Sequence, residues 1–178
     1  MIGNGSAQWL PIGEITVTRW FHPPAGKRML DERFGISVHP DYTSALGLAV
    51  YCFASLEWNA VRCCERLEPG SIDGLEERTA GRVADTLLHL VKRLAVSEQQ
   101  TALQGAAADF RFLVGTRNNL VHARPGTTPD GMHGLFRHGD HWTIAELQGV
   151  ADAFAACSLR FDTALRSELL QPAGPGPA

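Results

Sequence analysis

The chain has 178 residues, 44% of them apolar and 20% charged. That is enough for one domain with a core of its own, and too hydrophobic for wholesale disorder. A formal net charge of −3 argues against a protein that coats duplex DNA through one broad basic surface. It leaves room for a small anion site in an otherwise acidic fold.

Met1 to Ser6 (MIGNGS) show no basic stretch leading into an apolar run, so no signal peptide is expected. No apolar stretch approaches the roughly 18–20 residues of a membrane span. The expectation is a cytoplasmic protein. Cys52, Cys63, Cys64 and Cys157 form no C-x-x-C, so zinc-ribbon and redox spacings are missing. Reduced packing cysteines are expected, with neither metal nor cofactor.

Residues 1–42 lack helical periodicity and read as an N-terminal arm. Glu14 to Trp20 (EITVTRW) is rich in β-branched residues and suggests a short strand, ended by Pro23-Pro24. Phe34 to Tyr42 should be extended. The first long helix is predicted to start at Thr43 or Ser44, either of which can cap it, and to stop by Glu68, before Pro69-Gly70. Leu46, Val50, Phe53, Ala60, Cys64 and Leu67 mark its apolar seam, and Glu57 occupies one seam step.

A second helix is expected from Thr79 to Leu94, with Val83, Leu87, Leu90 and Leu94 on one face. Ser97 and Gln100 have capping-box spacing and open a third helix. Its seam runs through Leu103, Ala106, Phe110, Leu113 and Leu120, and Arg117 holds the missing step. Residues 124–142 break the helical pattern, and Met132 to Trp142 suggest a small hairpin turning at His138-Gly139-Asp140. Thr143 and Glu146 form another capping box. The last helix follows with Ile144, Leu147, Ala151, Phe154, Phe161 and Leu165 in its seam and Ser158 between. Gln171 to Ala178 should be a disordered tail. The fold class is therefore all-α: an antiparallel bundle of four to five helices over residues 43–170, with an irregular arm and a hairpin insert before the last helix.

Two charges stand where a bundle wants leucine. A lone buried charge costs several kcal/mol, so Glu57 and Arg117 must pair with each other, reach the surface, or face a crevice or an interface. Around Arg117 the sequence reads Gly115-Thr116-Arg117-Asn118-Asn119-Leu120-Val121-His122-Ala123-Arg124-Pro125. Pro125 disfavours helical geometry at Arg124, so the helix should finish near His122. Asn118 and His122, four apart, share a face. Arg117 lies about 140° from His122 on the helix, but its long side chain can bend to the same mouth. Arginine, amide and imidazole together suit a phosphodiester. The guanidinium binds phosphate oxygens bidentately and stays charged, the imidazole moves a proton near pH 7, and the amide holds the imidazole or a ribose hydroxyl.

Arg117-Asn118-x-x-x-His122, near the end of a seam-bearing helix and with an acid at Glu57 in the first helix, resembles the R-x(4–6)-H motif of HEPN domains. Such domains are helical, frequently dimeric, and many are metal-independent endoribonucleases of toxin–antitoxin, phage-defence or RNA-processing systems. The resemblance implies that Arg117 and His122 contact the scissile phosphate and its ribose, that Asn118 supports them, and that Glu57 orients Arg117 through an ion pair. It implies a homodimer with a composite site, and RNA cut to 2′,3′-cyclic phosphate and 5′-hydroxyl ends. An antitoxin or other regulatory protein is a further implied partner. HEPN toxins neutralised by a nucleotidyltransferase commonly carry tyrosine two residues after the histidine, whereas this chain has Arg124 there. Arg124 is instead a candidate secondary RNA phosphate contact.

The competing readings are a non-catalytic HEPN-like module that binds RNA, a nucleotide or a protein partner, and a dimeric interaction module in which Glu57 and Arg117 form only a specificity pair. His133, His138 and His141 lie close in sequence but match no zinc spacing, and His89 is expected to be structural. Trp20, Trp58 and Trp142 could stack on bases, with core or interface packing the expectation for Trp58.

Overall fold

The computed structural model describes residues 38–167. The strand expected at residues 14–20, Trp20 and the tail lie outside the described residues. Helix α1 spans Pro40–Leu67, α2 is the short turn Ile72–Leu75, α3 spans Ala80–Lys92, α4 Glu98–Val121 and α5 Ile144–Arg166. Between α4 and α5 the chain forms β1 (Arg124–Thr127), β2 (His133–Arg137) and β3 (Asp140–His141). The described residues are thus mostly helical, with one small antiparallel sheet.

Helix α1 begins at Pro40, ahead of Thr43 and Ser44. Proline suits the first turn because its missing N–H would have had no helical partner. His39 supplies the cap, its Nδ1 accepting from the Asp41 N–H at 3.2 Å. At the other end Glu65 gathers the turn into α2, accepting from the N–H groups of Gly70 and Ile72, each at 2.9 Å. Those bonds hold its carboxyl below the usual range.

The caps of α4 and α5 differ. Thr143 and Glu146 form the full capping box at α5. At α4 only half of one forms: the Ser97 hydroxyl accepts from the Gln100 N–H at 3.0 Å. The buried Gln100 side chain instead donates to the Val91 carbonyl at 3.3 Å, adding to the Leu94 N–H that this carbonyl already accepts at 3.2 Å at the end of α3.

The core is built on Phe53, Phe110, Phe154 and Phe161. Phe53 meets Phe154 edge-on at 5.1 Å between centroids, and Phe110 meets Phe161 edge-on at 5.9 Å. Phe53 facing Phe154, Asn59 bonding to Ser158 and Cys63 lying against Phe161 ascend together along both chains. Helices α1 and α5 therefore run parallel, where an antiparallel bundle was expected. Helix α4 runs against α3, with Arg111 on Asp85 and Gln100 on Val91. Ser158, the break in the α5 seam, is buried and accepts from the Asn59 amide at 3.0 Å.

The α1 seam is also shifted. Its buried line runs Tyr42, Ala45, Ala49, Phe53, Leu56, Ala60, Cys63 and Cys64, while Val50 is half exposed. Ala45, Leu46, Leu48, Ala49 and Val50 are all apolar, so local pattern offers several stripes, and packing on Leu147 and Ala151 selects the alanines. Leu56 carries the seam, and Glu57 stands beside it, partly buried. Trp58, expected to be packed, is 46% exposed, and His89 is exposed. Cys63, Cys64 and Cys157 are buried and unpaired, burial pushing the first two thiols up to about 12 and the third to about 11.

The insert is a three-stranded sheet in the order β1-β2-β3, larger than the expected hairpin. His138 and Gly139 turn the β2–β3 hairpin with φ of 54° and 98°, the left-handed pair of a tight two-residue turn. Strand β1 contains Pro125 and Gly126, which read as breakers. At an edge, however, proline needs no ladder N–H, and the Phe136 ring of β2 lies where a Gly126 side chain would stand. Tyr42 ties the sheet to α1: its hydroxyl accepts from the Leu135 N–H at 2.8 Å and its ring stacks with His141. Among the described residues no helix is long and apolar enough to cross a membrane.

Candidate functional site

Helix α4 ends at Val121, and His122 is its C-cap, with its N–H on the Asn118 and Leu120 carbonyls. The sheet reaches back to this point. Arg137 of β2 donates through Nη1 to the His122 carbonyl at 3.1 Å, so the hairpin grips the backbone that carries the imidazole. A cation against a helix C-terminus also suits the dipole there.

One turn earlier, Arg117 lies across the Phe53 ring with its guanidinium carbon 5.4 Å from the centroid. Its Nη1 donates to Asn118 Oδ1 at 3.2 Å. Adjacent helical residues do not normally face one another, and the length of arginine is what allows the curl. The guanidinium is held between an aromatic face and an amide, with other N–H groups left to donate.

Arg117, Asn118 and His122 line one cavity of about 580 Å³, together with Glu57, Glu76, Arg78 and the start of α3 at Thr79, Ala80 and Gly81. Glu57 lines it from α1. No ion pair within 4 Å joins Glu57 and Arg117 among the described residues. Their coupling is longer-ranged: partial burial raises the Glu57 carboxyl above its ordinary range, and the Arg117 charge pulls against that shift. A smaller apolar cleft of about 120 Å³ continues from the same two residues past Val50, Ala54 and Val121.

Four of the five residues singled out in the sequence, Glu57, Arg117, Asn118 and His122, therefore converge on one cavity. Arg124 does not line it. It is the exposed first residue of β1, paired with Phe136. His133, His138 and His141 also part company: His133 bonds to Thr127, His138 sits at the hairpin turn, and His141 packs between Tyr42 and Phe136. Arg78 and Arg137 are the residues that sequence reasoning missed. Both lie outside the long helices, where periodicity carries no signal. Position just before the predicted start of a helix is the one cue that could have marked Arg78.

The arrangement offers two guanidinium groups, an amide and an imidazole around one open space, which the carboxylates of Glu57 and Glu76 also line. It can bind an oxyanion, neutralise charge on it and exchange a proton with it. Comparison of the chain with protein-family models, with curated proteins and with solved structures finds no match in any of the three.

Proposed function

We propose that this chain is a metal-independent endoribonuclease of HEPN type, serving as a toxin, in phage defence or in RNA processing. The single observation that carries the reading is the convergence of Arg117, Asn118 and His122 on one open cavity at the end of α4. The sequence motif requires these three side chains to meet at a phosphodiester, and their shared cavity supports it.

The chemistry is transesterification within the RNA strand. His122 takes the proton of a ribose 2′-hydroxyl, and the 2′-oxygen bonds to the adjacent phosphorus. Arg117 stabilises the negative charge that gathers on the phosphoryl oxygens. The bond from phosphorus to the 5′-oxygen breaks, and that oxygen leaves with a proton from imidazolium or water. The products are a 2′,3′-cyclic phosphate and a 5′-hydroxyl. Asn118 keeps Arg117 turned toward the phosphate. Glu57 lines the same cavity, and its charge acts on Arg117 at longer range than an ion pair.

A homodimer with a composite site belongs to the same reading. Val50, Trp58 and Val121 are each roughly half exposed beside Glu57 and Arg117, an apolar rim that a second copy would cover.

The test is cleavage of single-stranded RNA in EDTA by the wild-type chain, Arg117→Ala and His122→Ala, with the product ends identified. Cleavage by wild type alone, leaving cyclic-phosphate ends, is expected. Cleavage that persists in His122→Ala, or that appears only with Mg²⁺, would overturn the mechanism.

A further inference from the structure

The cavity carries a second arginine that the R-x(4–6)-H motif does not include. Arg78 precedes α3 and lines the same space as Arg117 and His122. It also lines the adjoining cavity of about 270 Å³ beside Glu57 and Trp58. Its Nε donates to the Gly74 carbonyl at 3.1 Å, which anchors the base of the guanidinium. Both Nη groups remain without a hydrogen-bond or ion-pair partner among the described residues.

Two guanidinium groups facing one cavity repel each other, and neither is paired with Glu57 or Glu76 within 4 Å among the described residues. Such a pair is stabilised when anionic oxygens enter between them, because each planar fork can hold a phosphate through two parallel hydrogen bonds. The two arginines come from different elements, Arg117 from the last turns of α4 and Arg78 from the loop before α3. They therefore reach the space from separate elements, which offers a strand two points of contact.

We propose that Arg117 and Arg78 hold successive phosphates of one RNA strand, so that the site takes an oligonucleotide rather than a mononucleotide. This rests on the ribonuclease reading above. Arg117 with His122 serves the phosphate that reacts. Arg78 is a positioning residue at the next phosphate, fixing the strand's direction across the end of α4. The carboxylates of Glu57 and Glu76 oppose the arginines' charge, so the contact with each phosphate matters more than a general attraction to polyanions.

The experiment uses the full chain carrying His122→Ala, so that RNA is bound without being cut. A fluorescein-labelled ten-nucleotide oligouridylate is titrated in EDTA over a salt series, with uridine monophosphate as a competitor. Adding Arg78→Gln should weaken oligonucleotide binding about tenfold and reduce the slope of log K against log salt by about 0.7, the loss of one single-strand phosphate contact. Competition by the mononucleotide should be unchanged. Arg78→Lys keeps the charge but loses the Nε bond to Gly74, and should retain the parent slope. In the active chain Arg78→Gln should raise KM and leave kcat near wild type.

Unchanged affinity and slope in Arg78→Gln, with Arg117→Gln weakened, would overturn the role of Arg78 and leave the ribonuclease reading standing. A lysine variant as weak as the glutamine variant would make Arg78 a loop anchor through Gly74, which also overturns it. If Arg117→Gln binds RNA like the parent too, this proposal fails; the ribonuclease reading itself falls if the active chain leaves RNA uncut in EDTA.

Discussion

The Arg117 guanidinium rests on the face of Phe53, 5.4 Å from the ring centroid, although Glu57 shares the cavity. Phe53 is buried in the core and packs on Phe110 and Phe154. The aromatic ring thus joins the packed interior to the only charge that interrupts the α4 seam among the described residues. A guanidinium is weakly hydrated and accepts such a seat without the full cost of a buried ion pair.

A double-mutant cycle of Phe53→Leu and Arg117→Gln should show this contact. Leucine keeps most of the apolar volume and removes the ring face. The expected coupling is about 0.5–1 kcal/mol from denaturant unfolding. Additivity of the two single changes would mean that the ring merely lies nearby.

Glu57 should respond to pH in a definite direction. Burial, partly offset by Arg117, raises its carboxyl above the ordinary range in the folded chain. For an acid this means that folding favours the protonated form. Ionised Glu57 therefore costs stability at neutral pH, and the cost fades as pH falls through the raised value toward the ordinary one near 4.5. Glu57→Gln should melt slightly higher than wild type at pH 7, with the difference shrinking toward pH 4. A variant that melts lower at pH 7 would show that the carboxylate makes a net stabilising contact with Arg117.

Arg137 offers a test of the grip between sheet and site. Arg137→Met retains the apolar stem but loses the Nη1 bond to the His122 carbonyl. The lost bond is worth about 1 kcal/mol, a fall in melting temperature of roughly 2–4 °C for a chain of this size. RNA cleavage should fall about tenfold as the backbone that carries the imidazole loses its anchor. Unaltered cleavage, with only the melting shift, would confine Arg137 to a structural role.

Two glycines should behave oppositely when changed to alanine. At Gly134 a Cβ would collide with the His141 imidazole and lie 3.3 Å from the Tyr42 hydroxyl, so Gly134→Ala should cost about 1–3 kcal/mol. At Gly47, an exposed site within α1, a Cβ would meet nothing within 4 Å, and Gly47→Ala should add about 0.5–1 kcal/mol. Thermal melts of both variants would separate a tight sheet-to-helix contact from a loose one.

How far the chain alone dictates this structure is clearest residue by residue. Ser97, Thr143 and Glu146 announce their helix starts because capping is a transaction among residues a few positions apart. Pro125 announces the end of α4 for the same reason. Asn118 and His122 share a face by helical geometry alone, and Arg117 reaches their cavity because its side chain is long.

Other features depend on partners remote in sequence. That β1 forms at all depends on β2 arriving beside it, since Arg124-Pro125-Gly126-Thr127 has no strand preference of its own. Helical periodicity says which face of α1 is apolar, but not that Ala45 and Ala49 would meet a parallel α5, nor that Leu56 would take the seam and leave Glu57 at its edge. Arg78 joins Arg117 only because the loop after α1 carries the chain back to start α3 beside the end of α4. Caps, turns and helix faces are governed by forces acting within a turn or two of backbone, which neighbouring residues suffice to specify. Seam register, helix direction and the second arginine of the cavity are decided by which distant surfaces pack, a property of the assembled fold.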